Sequence, residues 1–218
     1  MNSWHVGVAA EGMAAAQFAR YTYDVSVQYG ANQPEYDLIA VSGDKMLKIS
    51  VKGSQDGSWG LTQSFKKGRT YHEAVQEWLS RHHKKTIFCL VQFQNVAIDE
   101  MPRMYLASPQ EIAEMLNASA NGHGETVLRE NHTWGSRAAA CGTTDRIPAE
   151  WKFTPERVRE MFEKVKAILA DQLNVKADKI LTVFSAKLIF FDFSNICFIT
   201  LAAVGAHDPF SINATVLF

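Results

Sequence analysis

The chain has 218 residues, of which 47% are hydrophobic and 21% charged, with a formal net charge of −1. That length supports one sizeable core, or one domain with an appendage, and the composition is that of an ordinary globular protein. It excludes a global positive field as the basis for holding nucleic acid, so any such binding must use a local basic patch. Cys89, Cys141 and Cys197 are far apart, and Cys89 and Cys197 lie in apolar runs that suit free buried thiols. No CxxC pair is present, which argues against zinc, and the odd count suits a reducing cytoplasm. The first residues, Met1 to His5, do not read as a signal peptide.

In chain order, Val8 to Arg20 predicts a helix, rich in Ala, with Met13, Ala14 and Phe18 on its apolar face. Tyr21 to Tyr29 switches to β-branched and aromatic residues and predicts a strand, which Gly30 to Pro34 break. Asp37 to Val41 and Met46 to Val51 predict two further strands around a turn at Ser42-Gly43-Asp44, followed by a polar loop from Gly53 to Ser58. Thr70 to His83 predicts a helix with Ala74, Val75, Trp78 and Leu79 on one face. The nearly all-apolar Thr86 to Phe93 predicts a central strand covered on both sides. After a strand at Met104 to Ala107, Ser108-Pro109 with Glu111 spells a capping box for a helix running to about Leu116. Asn117 to Thr144 is expected to be mostly loop. Thr154-Pro155 opens a last capped helix to about Leu173. The expected class is α/β, a mixed sheet flanked by helices, in residues 1–160, with a helix and an apolar tail over 161–218.

Asp37 and Lys52 stand at the same open end of the predicted hairpin, where a charge is solvated yet held rigidly. Glu11 lies in the first helix beside Gly12, a residue that lets another backbone approach closely. Carboxylates of this kind can hold Mg²⁺, a hard cation, and a lysine beside it can offset charge building on a phosphate. Each residue also has a plain reading: a helix-dipole acid, a turn aspartate, a solvated edge lysine.

Taken in order, Ala10-Glu11-Gly12, Tyr36-Asp37-Leu38-Ile39 and Ile49-Ser50-Val51-Lys52 resemble the restriction-endonuclease-like, or PD-(D/E)XK, superfamily over residues 4–164. The resemblance implies a restriction-endonuclease-like fold and a metal-dependent nuclease using Mg²⁺ or Mn²⁺. Glu11, Asp37 and the Val51 carbonyl would be metal ligands, and Lys52 the catalytic lysine. Ser50 departs from the pattern, standing where the (D/E)-x-K triplet has a carboxylate. That leaves two readings, an active DNA endonuclease or a catalytically dead nucleic-acid-binding module. DNA is the expected partner, and a homodimer would suit a substrate of two strands.

Around this set, Lys66, Lys67 and Arg69 are candidates for phosphate contact, or an ordinary solvated loop. Gln55, Trp59 and Gln63 lie in the loop after Lys52, where Trp59 could stack on a base or pack on the sheet edge. His82 to Lys85 complement a helix dipole. Met161 to Ile180 resembles the first helix of an acyl carrier protein without that family's Asp-Ser-Leu, and also reads as an amphipathic packing helix. Leu181 to Val204 is apolar enough in length for a membrane span, but Lys187 and Asp192 argue against insertion. A third reading is thus a protein-interaction domain with a partner-binding tail.

Overall fold

The computed structural model describes residues 1–28 and 35–172. The acyl-carrier-like stretch beyond 172 and the apolar run 181–204 lie outside the described residues.

Helix α1 (Ser3–Arg20) starts five residues earlier than the apolar pattern predicts, because the Asn2 side chain accepts the His5 backbone N–H and caps it. It buries Val6, Ala10, Ala14 and Phe18, a stripe at helical spacing. Three strands follow, β1 (Asp24–Val27), β2 (Leu38–Ser42) and β3 (Lys45–Ser54), paired antiparallel in turn. β3 is longer than predicted and absorbs Lys52, Gly53 and Ser54. A short strand, β4 (Ser58–Gly60), leads to α2 (Tyr71–Arg81), capped by a Thr70–Glu73 capping box.

β5 (Thr86–Gln92) then pairs parallel with β3, and β6 (Arg103–Ala107) pairs antiparallel with β5. Every residue of β5 is buried, as its apolar run requires. The result is a five-stranded mixed sheet in the order β1-β2-β3-β5-β6. Helix α3 (Pro109–Ala118) carries the Ser108–Glu111 capping box that the sequence spells out. α2 and α3 close one face of the sheet through Val75, Trp78, Ile112 and Leu116 against Phe88, Leu90 and Tyr105. α1 packs on the opposite face, since Gly53 meets it and alternates with residues paired to Leu90.

The stretch expected to be loop holds two short strands, β7 (Val127–Arg129) and β8 (Asn131–Thr133), and a third, β9 (Thr144–Arg146), begins at its last residue. β7 pairs with β4 and β8 with β9. Three-residue strands carry too few alternations to stand out from polar loop sequence. Helix α4 (Pro155–Gln172) closes the described chain. Met1–Val165 forms one compact unit. No described helix is long and apolar enough to cross a membrane.

Candidate active site

The antiparallel register pairs Leu38 with Ile49, so Asp37 at the mouth of β2 falls beside Ser50 of β3. Its backbone is fixed on both sides: the Asp37 N–H donates to the Ile49 carbonyl at 2.8 Å, and its carbonyl accepts from the Gln28 N–H at 2.9 Å. The carboxylate turns onto the triplet. Asp37 Oδ2 accepts the Val51 N–H at 2.6 Å and the Ser50 hydroxyl at 3.4 Å, and stands 3.8 Å from Lys52 Nζ. The sequence-predicted hairpin therefore brings Asp37, Ser50, Val51 and Lys52 together. Ser50 is buried, 3% exposed, while the Lys52 side chain keeps 43% of its surface in solvent.

Glu11 comes from α1. Its carboxyl pKa is raised, first by burial and next by the charge of Asp37, with Lys52 pulling the other way. Two acids and one cation thus share a field, and the negative charge is incompletely offset. Glu11 also lines a concavity of about 570 Å³ with Trp4, Gly7, Val8, Gly12 and Val27. Trp4 is 68% exposed there, and no local pattern around it singles it out.

The close backbone approach expected at Gly12 occurs elsewhere. A Cβ on Gly12 would meet open space, but one on Gly53 would lie 2.8 Å from the Val6 carbonyl and 2.9 Å from Ala10 Cβ. It is Gly53, next to Lys52, that lets α1 settle against β3 one helical step from Glu11.

Trp59 departs from the stacking role considered for it. It is 3% exposed, packs edge-on to Tyr105, and donates its indole N–H to the Lys52 carbonyl at 2.9 Å. Buried indoles seek such a partner, and here the partner is the main chain of Lys52. Gln55 is engaged by Met1, accepting from its amino group and donating to its carbonyl.

The basic loop is self-contained. Lys66 donates to the Arg69 carbonyl and lies over the Tyr71 ring, and Arg69 donates to the Phe65 carbonyl. Lys67 is exposed. No hydrogen bond or ion pair among the described residues joins this loop to Asp37, Ser50 or Lys52. His82 bonds the Trp78 carbonyl at the end of α2, in keeping with the helix-end reading. Cys89 is a buried free thiol whose pKa burial drives far upward.

Among the described residues, no cluster of three or more His, Cys, Asp or Glu side chains is gathered. The donors are two carboxylates, Glu11 and Asp37, with the Ser50 hydroxyl beside them. This set fits Mg²⁺ in the form that keeps several waters and takes one or two protein carboxylates plus substrate phosphate. It does not make a closed protein cage.

No family model and no curated protein matches the chain. Among solved structures, it is similar to a bacterial homing endonuclease at 12% identity and a TM-score of 0.41, covering 77% of this chain and 97% of that one. It is also similar to Hjc, a Holliday junction resolvase from Archaeoglobus fulgidus, at 14% identity and a TM-score of 0.33, covering 57% and 88%.

Proposed function

We propose that this chain is a metal-dependent endonuclease-like protein that hydrolyses phosphodiester bonds of DNA. The observation that carries the reading is the meeting of Asp37 with Ser50, the Val51 N–H and Lys52 at one sheet end, with Glu11 in their field. A bound Mg²⁺ or Mn²⁺ would acidify a water and stabilise the attacking and leaving oxygens. Asp37 and Glu11 would hold it, with the Val51 carbonyl as a further ligand. The Lys52 ammonium offsets charge that builds on the phosphate, and its solvent-facing position leaves it free to do so. Ser50 contributes a neutral oxygen, so metal affinity rests on two carboxylates.

The test is incubation of supercoiled and branched DNA with the protein in Mg²⁺ or Mn²⁺. Nicking that disappears in Asp37→Ala and Lys52→Ala supports the reading; no cleavage of any DNA or RNA under these conditions removes it.

Ser50 favours a second reading, a nucleic-acid-binding module of the same fold without catalysis. A silent wild type whose Ser50→Asp or Ser50→Glu variant cleaves would establish it, and an active wild type excludes it.

A further inference from the structure

A second feature lies at the same end of the sheet. β3 and β5 run parallel and end there, and β6 begins there, since Gln92 pairs with Arg103. Open α/β sheets bind ligands beyond the carboxyl ends of their strands. Past these ends is a concavity of about 550 Å³, walled by Arg103, Glu130, Arg146 and Lys152, with Gly57 and Gln94 at its floor.

The floor is built, not loose. Gln92, fully buried, donates to Ser54 Oγ at 3.1 Å, and its Oε1 accepts the Gln94 N–H at 2.9 Å. Ser54 donates to Asp56, which also accepts from Ser58, so the carboxylate next to Gly57 in sequence is consumed within its own loop. Gly57 has φ +82°, and a Cβ there would lie 2.7 Å from Gln94 Oε1, so a side chain would invade the floor.

The walls carry unequal charge. Glu130 is held by both prongs of Arg103 at 2.7 and 2.9 Å and by the Tyr105 hydroxyl at 2.6 Å, so this acid and this arginine cancel. Among the described residues, the Arg146 side chain donates one hydrogen bond, to the neutral Asn131 at 3.5 Å. Lys152 is fixed by its backbone beside Tyr105 at the edge of β6. Both are exposed, and neither has an acidic partner among the described residues. The concavity therefore offers two uncancelled cations on a rigid polar floor, in a chain whose net charge is −1.

We infer that Arg146 and Lys152 form a groove that grips the phosphodiester backbone of a DNA strand flanking the Asp37–Lys52 site. This deepens the nuclease reading and rests on it for the identity of the polyanion. Two exposed cations on an open wall suit consecutive phosphates of a chain better than an enclosed small anion. The groove replaces the Lys66–Arg69 loop as the principal nucleic-acid contact, because Lys66 and Arg69 spend donors within their own turn.

The experiment is fluorescence anisotropy of labelled duplex DNA with the full chain, in EDTA so that cleavage is silent, across a salt series. Arg146→Gln/Lys152→Gln is compared with wild type and with Lys66→Gln/Lys67→Gln, and thermal melts confirm that each variant is folded. The groove variant should lose at least about tenfold in affinity. Its log K against log salt slope should be shallower by about 2, as expected for two lost phosphate contacts. The loop variant should change far less. An unchanged slope and affinity in a folded groove variant overturns the inference, as does a free mononucleotide that competes as well as duplex. Cleavage is scored separately. A chain that binds through the groove but never cuts retains the groove and loses the endonuclease. A chain that cuts with wild-type affinity after loss of both cations retains the endonuclease and loses the groove.

Discussion

Glu11 is the residue whose chemistry is most open to measurement. Burial and the nearby Asp37 charge raise its pKa, so its neutral form is favoured in the folded chain. The stability it contributes is complete below the ordinary value of 4.5 and is lost as pH rises through the elevated folded value. A metal ligand must be ionised, so if Glu11 holds the proposed cation, affinity should move the opposite way, rising as pH climbs through that same value. Calorimetric Mg²⁺ or Mn²⁺ titrations across mildly acidic pH should show a proton released on binding. Glu11→Gln should abolish the release and raise the melting temperature at neutral pH. A pH-independent affinity in the wild type would remove Glu11 from the ligand set. Trp59 makes the complementary case for positioning. Trp59→Phe keeps the aromatic packing but removes the 2.9 Å bond to the Lys52 carbonyl. It should cost about 1 kcal/mol of stability, the usual net value of one such bond. Chemical denaturation measures it.

At the scale of elements, the packing of α1 on β3 depends on Gly53. A Cβ at 2.8 Å from the Val6 carbonyl meets backbone, which cannot swing away as a side chain does. Gly53→Ala should cost about 1–3 kcal/mol by overpacking and shift α1, carrying Glu11 with it. Denaturation together with metal titration checks both, and a neutral Gly53→Ala would refute the close packing. Much of this layer was legible in the sequence. The capping box at Ser108 and the all-apolar run of β5 marked their elements by local chemistry, while the Thr70–Glu73 box emerged only from the structure. Asp37 and Lys52 could be brought together because a short hairpin fixes register from its turn. The role of Gly53 was not legible, because a close approach between distant segments leaves no local trace. For Trp59 the sequence left stacking and packing both open for a related reason: its burial in β4 is set by β7 and β6, far along the chain. β8 and β9 escaped notice because their residues are mostly exposed and lack an apolar alternation.

Across the whole molecule, Arg157 ties the last helix to the sheet. Its guanidinium is 3% exposed and donates to the Leu106 carbonyl of β6, to Glu111 of α3 and to Glu160. Burial works to raise the Glu111 pKa, but bonds from Lys164, the Ser108 backbone and Arg157 overcome it and hold the acid at about 2. A depressed carboxyl contributes stability above its unfolded value and loses it as pH falls through the folded one. The loss should therefore run from near 4.5 down toward 2. In denaturant melts over that range, Glu111→Gln should flatten the acid slope. Arg157→Met should cost about 1–3 kcal/mol, because the Leu106 carbonyl loses the Arg157 donors while Lys164 and Ser108 still hold Glu111. An unchanged acid slope in Glu111→Gln would show that other groups govern acid unfolding.

The buried amide of Gln92 has a consequence of another kind. By bonding Ser54 on one strand and the backbone of Gln94 beyond the next, it welds two strand ends into a single block. Lys52 stands on that block, and the wall bearing Lys152 flanks it. If the proposed site and groove hold one DNA strand, the spacing between the reacting bond and the gripped phosphates would be a property of the protein, not of the substrate. Such a block would act as a ruler, and mapped cut positions should then keep one constant offset from the anchored strand whatever bases lie between.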